Sequence, residues 1–295
     1  MRQGWEIEGR SSGGRSVTVY QPYLLDVDKV ADRLTRFQST YQEKVSLIDG
    51  QRWRYRRTGN SARPLVMLPG IQGGGSVFFD VALALGGKLD LITVTAPPIV
   101  DAAAMADAQA EFLLALRIRK IDLFGSSLGG YLAQVFSIRH PDMVGKIFLA
   151  NTFADPRPFL AKAPSSDSVA AQAAAEVMAS NIAPMLTAHA TDAGQVAMQT
   201  VMRSLVGPVQ TADEYKARLM TLLESRPIDR MPVSDDRVIL IDDDADPSIL
   251  PEMRALTRGR YGSAWHYTID GGGHLPAIQR PQSVVSVLLD RIGRD

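Results

Sequence analysis

Apolar residues recur along this chain with two different periods, and the exchange between those periods predicts its architecture. Short runs at 44–48, 52–57, 65–68, 91–95, 121–124, 146–150, 238–241 and 264–269 have the length and the β-branched, aliphatic or aromatic content of strands. Asp49-Gly50 joins the first two as a hairpin turn. Between the later runs the spacing becomes helical. It does so over 102–116, near Glu252, and after Gly129, where Tyr131, Leu132, Val135, Phe136 and Ile138 recur until Pro141. A closing helix from Pro281 carries Val284, Val285, Leu288, Leu289 and Ile292 on one face. Two antiparallel strands leading into alternating strands and helices predict an α/β fold with a mostly parallel sheet, covered on both faces.

The strand rhythm lapses between residues 155 and 232, where the Ala-rich, Met-containing segments 169–180 and 212–224 read as helices. The predicted organisation is an N-terminal extension (1–35), a first part of the core (36–154), an inserted helical cap (155–232) and a second part of the core (233–295). The extension is polar and Gly/Arg-rich at first; a short helix over 27–37 follows, with Val30, Leu34 and Phe37 on one face.

Composition narrows the function classes. Lys+Arg and Asp+Glu both number 32, so no overall field draws the chain to nucleic acid or to an anionic membrane. The absence of cysteine excludes a disulfide, a thiolate nucleophile and Cys-ligated metal. The first residues lack the apolar core of a secretory signal, and no apolar stretch is long enough to span a bilayer; the expectation is a soluble cytoplasmic protein. Neither GxGxxG nor a P-loop is present, and no cofactor or metal is expected.

The run 121–141 holds the most specific chemistry. Gly125-Ser126-Ser127-Leu128-Gly129 joins an apolar strand to a helix, the context of a nucleophile elbow. The sharp turn strains the serine backbone and demands near-absent side chains two residues to either side. A second GxSxG, Gly9 to Gly13, follows the charged stretch Glu6-Ile7-Glu8 and reads as a flexible turn.

A serine hydroxyl needs a neutral base held in one tautomer by a carboxylate. Four histidines are available. His140 caps the elbow helix, His189 lies in the cap, and His266 sits inside a strand as a packing residue. His274 follows that strand in the Gly-rich loop Asp270-Gly271-Gly272-Gly273, at the carboxyl end where active sites of open α/β sheets gather. The chain order Ser, acid, His places the acid between them. Asp246 fits best among Asp242, Asp243, Asp244 and Asp246, with Asp243, Asp244 and Asp155 as alternatives. The oxyanion hole would combine the Leu128 N–H with the Ile71 N–H of the loop Pro69-Gly70-Ile71-Gln72-Gly73-Gly74-Gly75. Gln72 is a candidate for substrate contact, as are Met178 and Met202, which with Met185, Met198 and Met220 of the cap would line an adaptable apolar pocket; helix packing explains such methionines equally well.

These residues resemble the α/β-hydrolase superfamily, and within it the maspardin family. LFGSSLGGYLAQ (123–134), LPGIQGGGSVFF (68–79), Asn151-Thr152-Phe153, the Asp246 loop and GGGHLPAIQRP (271–281) carry the likeness. The resemblance implies Ser127 as elbow serine, Asp246 as acid and Ile71 in the oxyanion loop. Animal maspardins do not keep a histidine matching His274 and are viewed as binding proteins; this chain has the histidine. Two functions follow. One is a serine hydrolase of a small acyl ester or thioester; acyl transfer and C–C bond hydrolysis would use the same triad. The other is a non-catalytic module that offers the cap to a protein partner or a second copy. Dehalogenase and epoxide hydrolase chemistry is disfavoured, because both need an aspartate where Ser127 stands.

Overall fold

The apolar runs come together in one nine-stranded sheet in the computed structural model, which describes residues 15–19 and 26–292. The strands are β1 Ser16–Val19, β2 Lys44–Ile48, β3 Gln51–Arg57, β4 Leu65–Leu68, β5 Leu91–Thr95, β6 Ile121–Ser126, β7 Val144–Ala150, β8 Val238–Asp242 and β9 Trp265–Ile269. Their spatial order is β1-β9-β8-β7-β6-β4-β5-β3-β2. The β2/β3 and β3/β5 pairs are antiparallel and the other pairs are parallel. Asp49 and Gly50 both adopt positive φ, 47° and 74°, which closes the β2/β3 hairpin in the sense that matches strand twist.

The helices are α1 Val30–Thr40, α2 Phe79–Leu85, α3 Ala102–Ala115 and α4 Leu128–Arg139, then α5 Arg157–Leu160, α6 Ser166–Ala170, α7 Ala174–Thr187, α8 Ala193–Leu205 and α9 Ala212–Leu223 between β7 and β8. The chain ends with α10 Pro251–Arg260, α11 Pro276–Gln279 and α12 Pro281–Arg291. Helices cover both faces, so the central strands are buried throughout and lack a polar-out alternation. Leu123, Ile147, Leu149 and Leu240 pack with α3, α4 and α10; Phe124, Phe148, Ile239 and Ile241 face α1, α2, α8 and α12. Each such side chain, fully buried, contributes about 1.5–3 kcal/mol.

Three elements differ from the pattern-based expectation. The opening stretch contains β1, whose Val17 and Val19 turn inward while it pairs in parallel with β9. The Ala-rich segment 169–180 is broken at 171–173, because Ser165 caps a separate short helix ahead of α7. Helix α8, capped by Asp192, was not foreseen. The second GxSxG, Gly9 to Gly13, lies outside the described residues.

Candidate active site

Ser127 stands between β6 and α4 with φ 55° and ψ −124°, a backbone conformation costly for a residue with a side chain. The surroundings hold it there. Its N–H donates to the Ala150 carbonyl at 2.9 Å, and the Thr152 hydroxyl donates to the Ser127 carbonyl at 2.6 Å. A Cβ on Gly125 would collide with the Gly129 carbonyl, and one on Gly129 with the Leu68 carbonyl at the end of β4. The two glycines therefore permit the close approach of strand, helix and neighbouring strand that presents the hydroxyl.

His274 lies in the loop after β9. Its Nε2 is 3.0 Å from Ser127 Oγ, and its Nδ1 is 2.9 Å from Asp246 Oδ2 and 3.1 Å from Oδ1. The Asp246 side chain is fully buried and the imidazole is one-quarter exposed. An ionised Asp246 accepts from Nδ1–H and so leaves Nε2 free to accept from the serine hydroxyl. Asp246 Oδ1 also accepts from the Ser248 N–H at 2.8 Å, which fixes the carboxylate plane.

The other acids and histidines have different partners. Asp242 binds Arg258 at 2.6 Å and His266 at 2.8 Å. Exposed Asp244 pairs with Arg258, and Asp155 forms a two-pronged pair with Arg157. That guanidinium holds the Asp155 carboxyl below its ordinary pKa. Asp243 accepts from the Gly273 and Ala245 N–H groups at 2.8 and 2.9 Å and so ties the acid loop to the histidine loop. His140 closes α4 and meets Asp107, and His189 is exposed.

Asn151, at the carboxyl end of β7, is a site residue that residue-type reasoning missed. It is buried, adopts φ 40°, donates through Nδ2 to the Gly273 and His274 carbonyls, and accepts from the Asp243 N–H at 3.0 Å. Asparagine tolerates the left-handed region better than most residues, which was the available signal.

Leu128 is the first residue of α4, so its N–H has no intrahelical acceptor. The Gly70 backbone passes so near that a Cβ there would lie 3.1 Å from Ser127 Cβ, which brings the Ile71 loop alongside the serine. The loop is ordered: Gly73 and Gly74 take φ 79° and 60°, and the Gly75 N–H donates to Thr95 Oγ1 at 2.8 Å.

A cavity of about 320 Å³ opens on Ser127 and His274; its apolar walls include Phe78, Phe153, Phe159, Leu219 and Met253. A second, of about 540 Å³, lies across the histidine and carries Asp192, Gln195 and Gln279. Gln72, Ser248, His274 and Leu275 border both. Tyr215 reaches from α9 to the Gln72 side chain, and burial pushes its phenol up to about 12. Met178 and Met202 border neither cavity. Met202 is fully buried in the core on α8, and Met178 packs half-buried on α7, because helical spacing does not tell which face looks inward. Among the described residues no cluster of His, Asp and Glu is placed to hold a metal ion, and no helix is long and apolar enough to cross a membrane.

An elbow serine between a central parallel strand, β6, and the helix that follows it, with its histidine after the last strand, β9, is the arrangement of an α/β hydrolase. Residues 65–287 match the model of the alpha/beta hydrolase family, and the chain belongs to that family. Over part of its length the chain is similar to maspardin. It is 34% identical to maspardin of Rattus norvegicus over 135 residues, 43% of this chain and 52% of that protein. The chain thus spans about half the length of the curated relatives it matches. Among solved structures, a thermophilic esterase from Thermogutta terrifontis superposes with a TM-score of 0.66 at 19% identity, over 84% of this chain and 97% of that one. Est816, described as an N-acyl homoserine lactone degrading enzyme, gives 0.68 at 15% identity, over 84% and 100%.

Proposed function

We propose that the protein is a serine hydrolase of small acyl esters or thioesters. The observation that carries this reading is the unbroken chain Ser127 Oγ, His274 Nε2, His274 Nδ1, Asp246 Oδ2, with steps of 3.0 and 2.9 Å at either side of the ring. Ser127 attacks the acyl carbonyl while His274 takes the hydroxyl proton at Nε2. Asp246 stabilises the imidazolium through Nδ1–H. The Leu128 and Ile71 N–H groups receive the tetrahedral oxyanion, where loss of one such donor costs about 10² to 10³ in rate. The protonated ring then delivers its proton to the leaving oxygen or sulfur, the C–O or C–S bond breaks, and an acyl-serine remains. Water, deprotonated by His274, then attacks the acyl carbon; the bond to Ser127 Oγ breaks as the imidazolium returns the proton to that oxygen, and the acid leaves. The apolar walls of the cavity beside Ser127 suit the acyl group, and the cavity across His274, which carries Asp192, Gln195 and Gln279, suits the leaving group.

Labelling with a fluorophosphonate, followed by peptide mapping, tests the assignment. The parent protein is expected to label at Ser127, Ser127→Ala not at all, and His274→Asn at a rate lower by orders of magnitude. The maspardin likeness favours a second reading, a binding module without catalysis. A folded parent that stays unlabelled would decide for it.

A further inference from the structure

The oxyanion loop does not hold itself. Between the end of β4 at Leu68 and Gly74 it has no regular structure, and the run Gly73-Gly74-Gly75 makes its order costly in backbone entropy. The buried side chain of Gln210 supplies what is missing. Its Nε2 donates to the Ile71 carbonyl at 2.6 Å, and its Oε1 accepts from the Gly73 N–H at 2.7 Å. One backbone group is an acceptor and the other a donor, so the carboxamide fits in a single orientation.

Gln210 belongs to the turn between α8 and α9, which is itself anchored. The Gln210 N–H donates to the Leu205 carbonyl at 2.8 Å, and the Gly207 N–H to the Gln210 carbonyl at 2.9 Å. Arg54 of β3 then fastens this turn to the sheet: its Nη2 donates to the Val209 carbonyl at 3.0 Å and to Glu214 at 2.7 Å. Glu214 is also the reciprocal partner of the Thr211 cap that starts α9. A continuous set of bonds therefore runs from sheet to helical segment to Ile71, in the loop that passes beside Ser127.

We infer that Gln210 is a positioning residue for the oxyanion hole, so that the helical segment between β7 and β8 must be seated on the sheet before the Ile71 N–H is aligned for the tetrahedral intermediate. This rests on the serine hydrolase reading above. Its consequence is specific: loss of the clamp weakens binding of the transition state and leaves binding of the substrate nearly unchanged, because Gln210 lines neither cavity.

Two variants test it. Gln210→Glu keeps an acceptor for the Gly73 N–H but sets a carboxylate oxygen against the Ile71 carbonyl; Gln210→Met keeps the volume, removes both bonds and serves if the first does not fold. Kinetics on a p-nitrophenyl butyrate probe are measured with the affinity for an alkyl trifluoromethyl ketone, whose hemiketal oxyanion occupies the hole. The expected result is a kcat lower by about 10- to 100-fold, KM within about threefold, and ketone affinity lost in proportion to kcat/KM. A folded variant that keeps parental kcat and ketone affinity would overturn the inference, as would a rise in KM that accounts for the whole loss. A parent that fluorophosphonate does not label would instead remove the hydrolase reading itself, so the two failures are distinguishable.

Discussion

Asn151 occupies a position that few residues could fill: a left-handed backbone, complete burial, and bonds to both loops that carry the serine's partners. Asn151→Asp keeps the acceptor for the Asp243 N–H. It loses the donor to the Gly273 and His274 carbonyls and sets a second carboxylate close to Asp243. The expected cost is on the order of 1–3 kcal/mol in stability, from two carbonyls left unpaired. Labelling of Ser127 should also slow by about tenfold as the imidazole drifts. Urea unfolding and timed fluorophosphonate labelling check both numbers, and a variant as stable and as quickly labelled as its parent would remove the cross-tie. The convergence of Ser127, His274 and Asp246 was legible because few residues of each type stood at strand ends, in the order that the elbow context demands. Asn151 and Gln210 were not legible, since both act through backbone groups that only the folded chain brings near. Met178 and Met202 border neither cavity while Met185 and Met198 border the second, a division that spacing does not reveal because a helix's buried face and its cavity face carry the same residue types.

At the scale of elements, the loop after β4 shows what composition leaves open, because three successive glycines permit a tight backbone approach and are also costly to order, as a mobile linker would be. The structure distinguishes them. A Cβ on Gly73 would lie 2.5 Å from Val77 Cγ1 with φ at 79°, and one on Gly74 would meet Thr95 Oγ1 at 2.6 Å. Gly73→Ala is therefore expected to destabilise by about 1–3 kcal/mol through backbone strain and crowding. A melting temperature lower by several degrees would be the reading; an unchanged one would mean that the loop relaxes freely. Strands and helices with a full run of periodic residues were legible to within a few positions. The exceptions were short or uniform: β1 spans four residues, and the break before α7 falls in a stretch of alanines that carries no punctuation. Which helices cover which face, and how α9 comes to roof the serine, depended on packing that no local pattern encodes.

For the whole molecule, acid stability offers a measurement that does not depend on catalysis. Asp242, at the end of β8, is buried against His266 of β9 and Arg258 of α10, so one carboxylate joins three elements. Burial by itself would raise its pKa, but the hydrogen bonds and charges of His266 and Arg258 outweigh that and hold it below its ordinary 3.8. A carboxyl whose pKa falls on folding favours the native state when ionised. Its contribution is present above 3.8 and is lost as the pH drops through the lower folded value. Asp242→Asn should thus be less stable than the parent near pH 5, by on the order of 1–3 kcal/mol, because it leaves Arg258 and His266 short of a charged acceptor. As the pH falls below 3.8 and through the lower folded value, the parent's carboxylate also takes up its proton, and the two unfolding midpoints should approach each other. Urea titrations at both ends of that range measure the gap directly. A gap that stays constant, or widens, on acidification would mean that the carboxylate at this junction does not stabilise the fold through its charge.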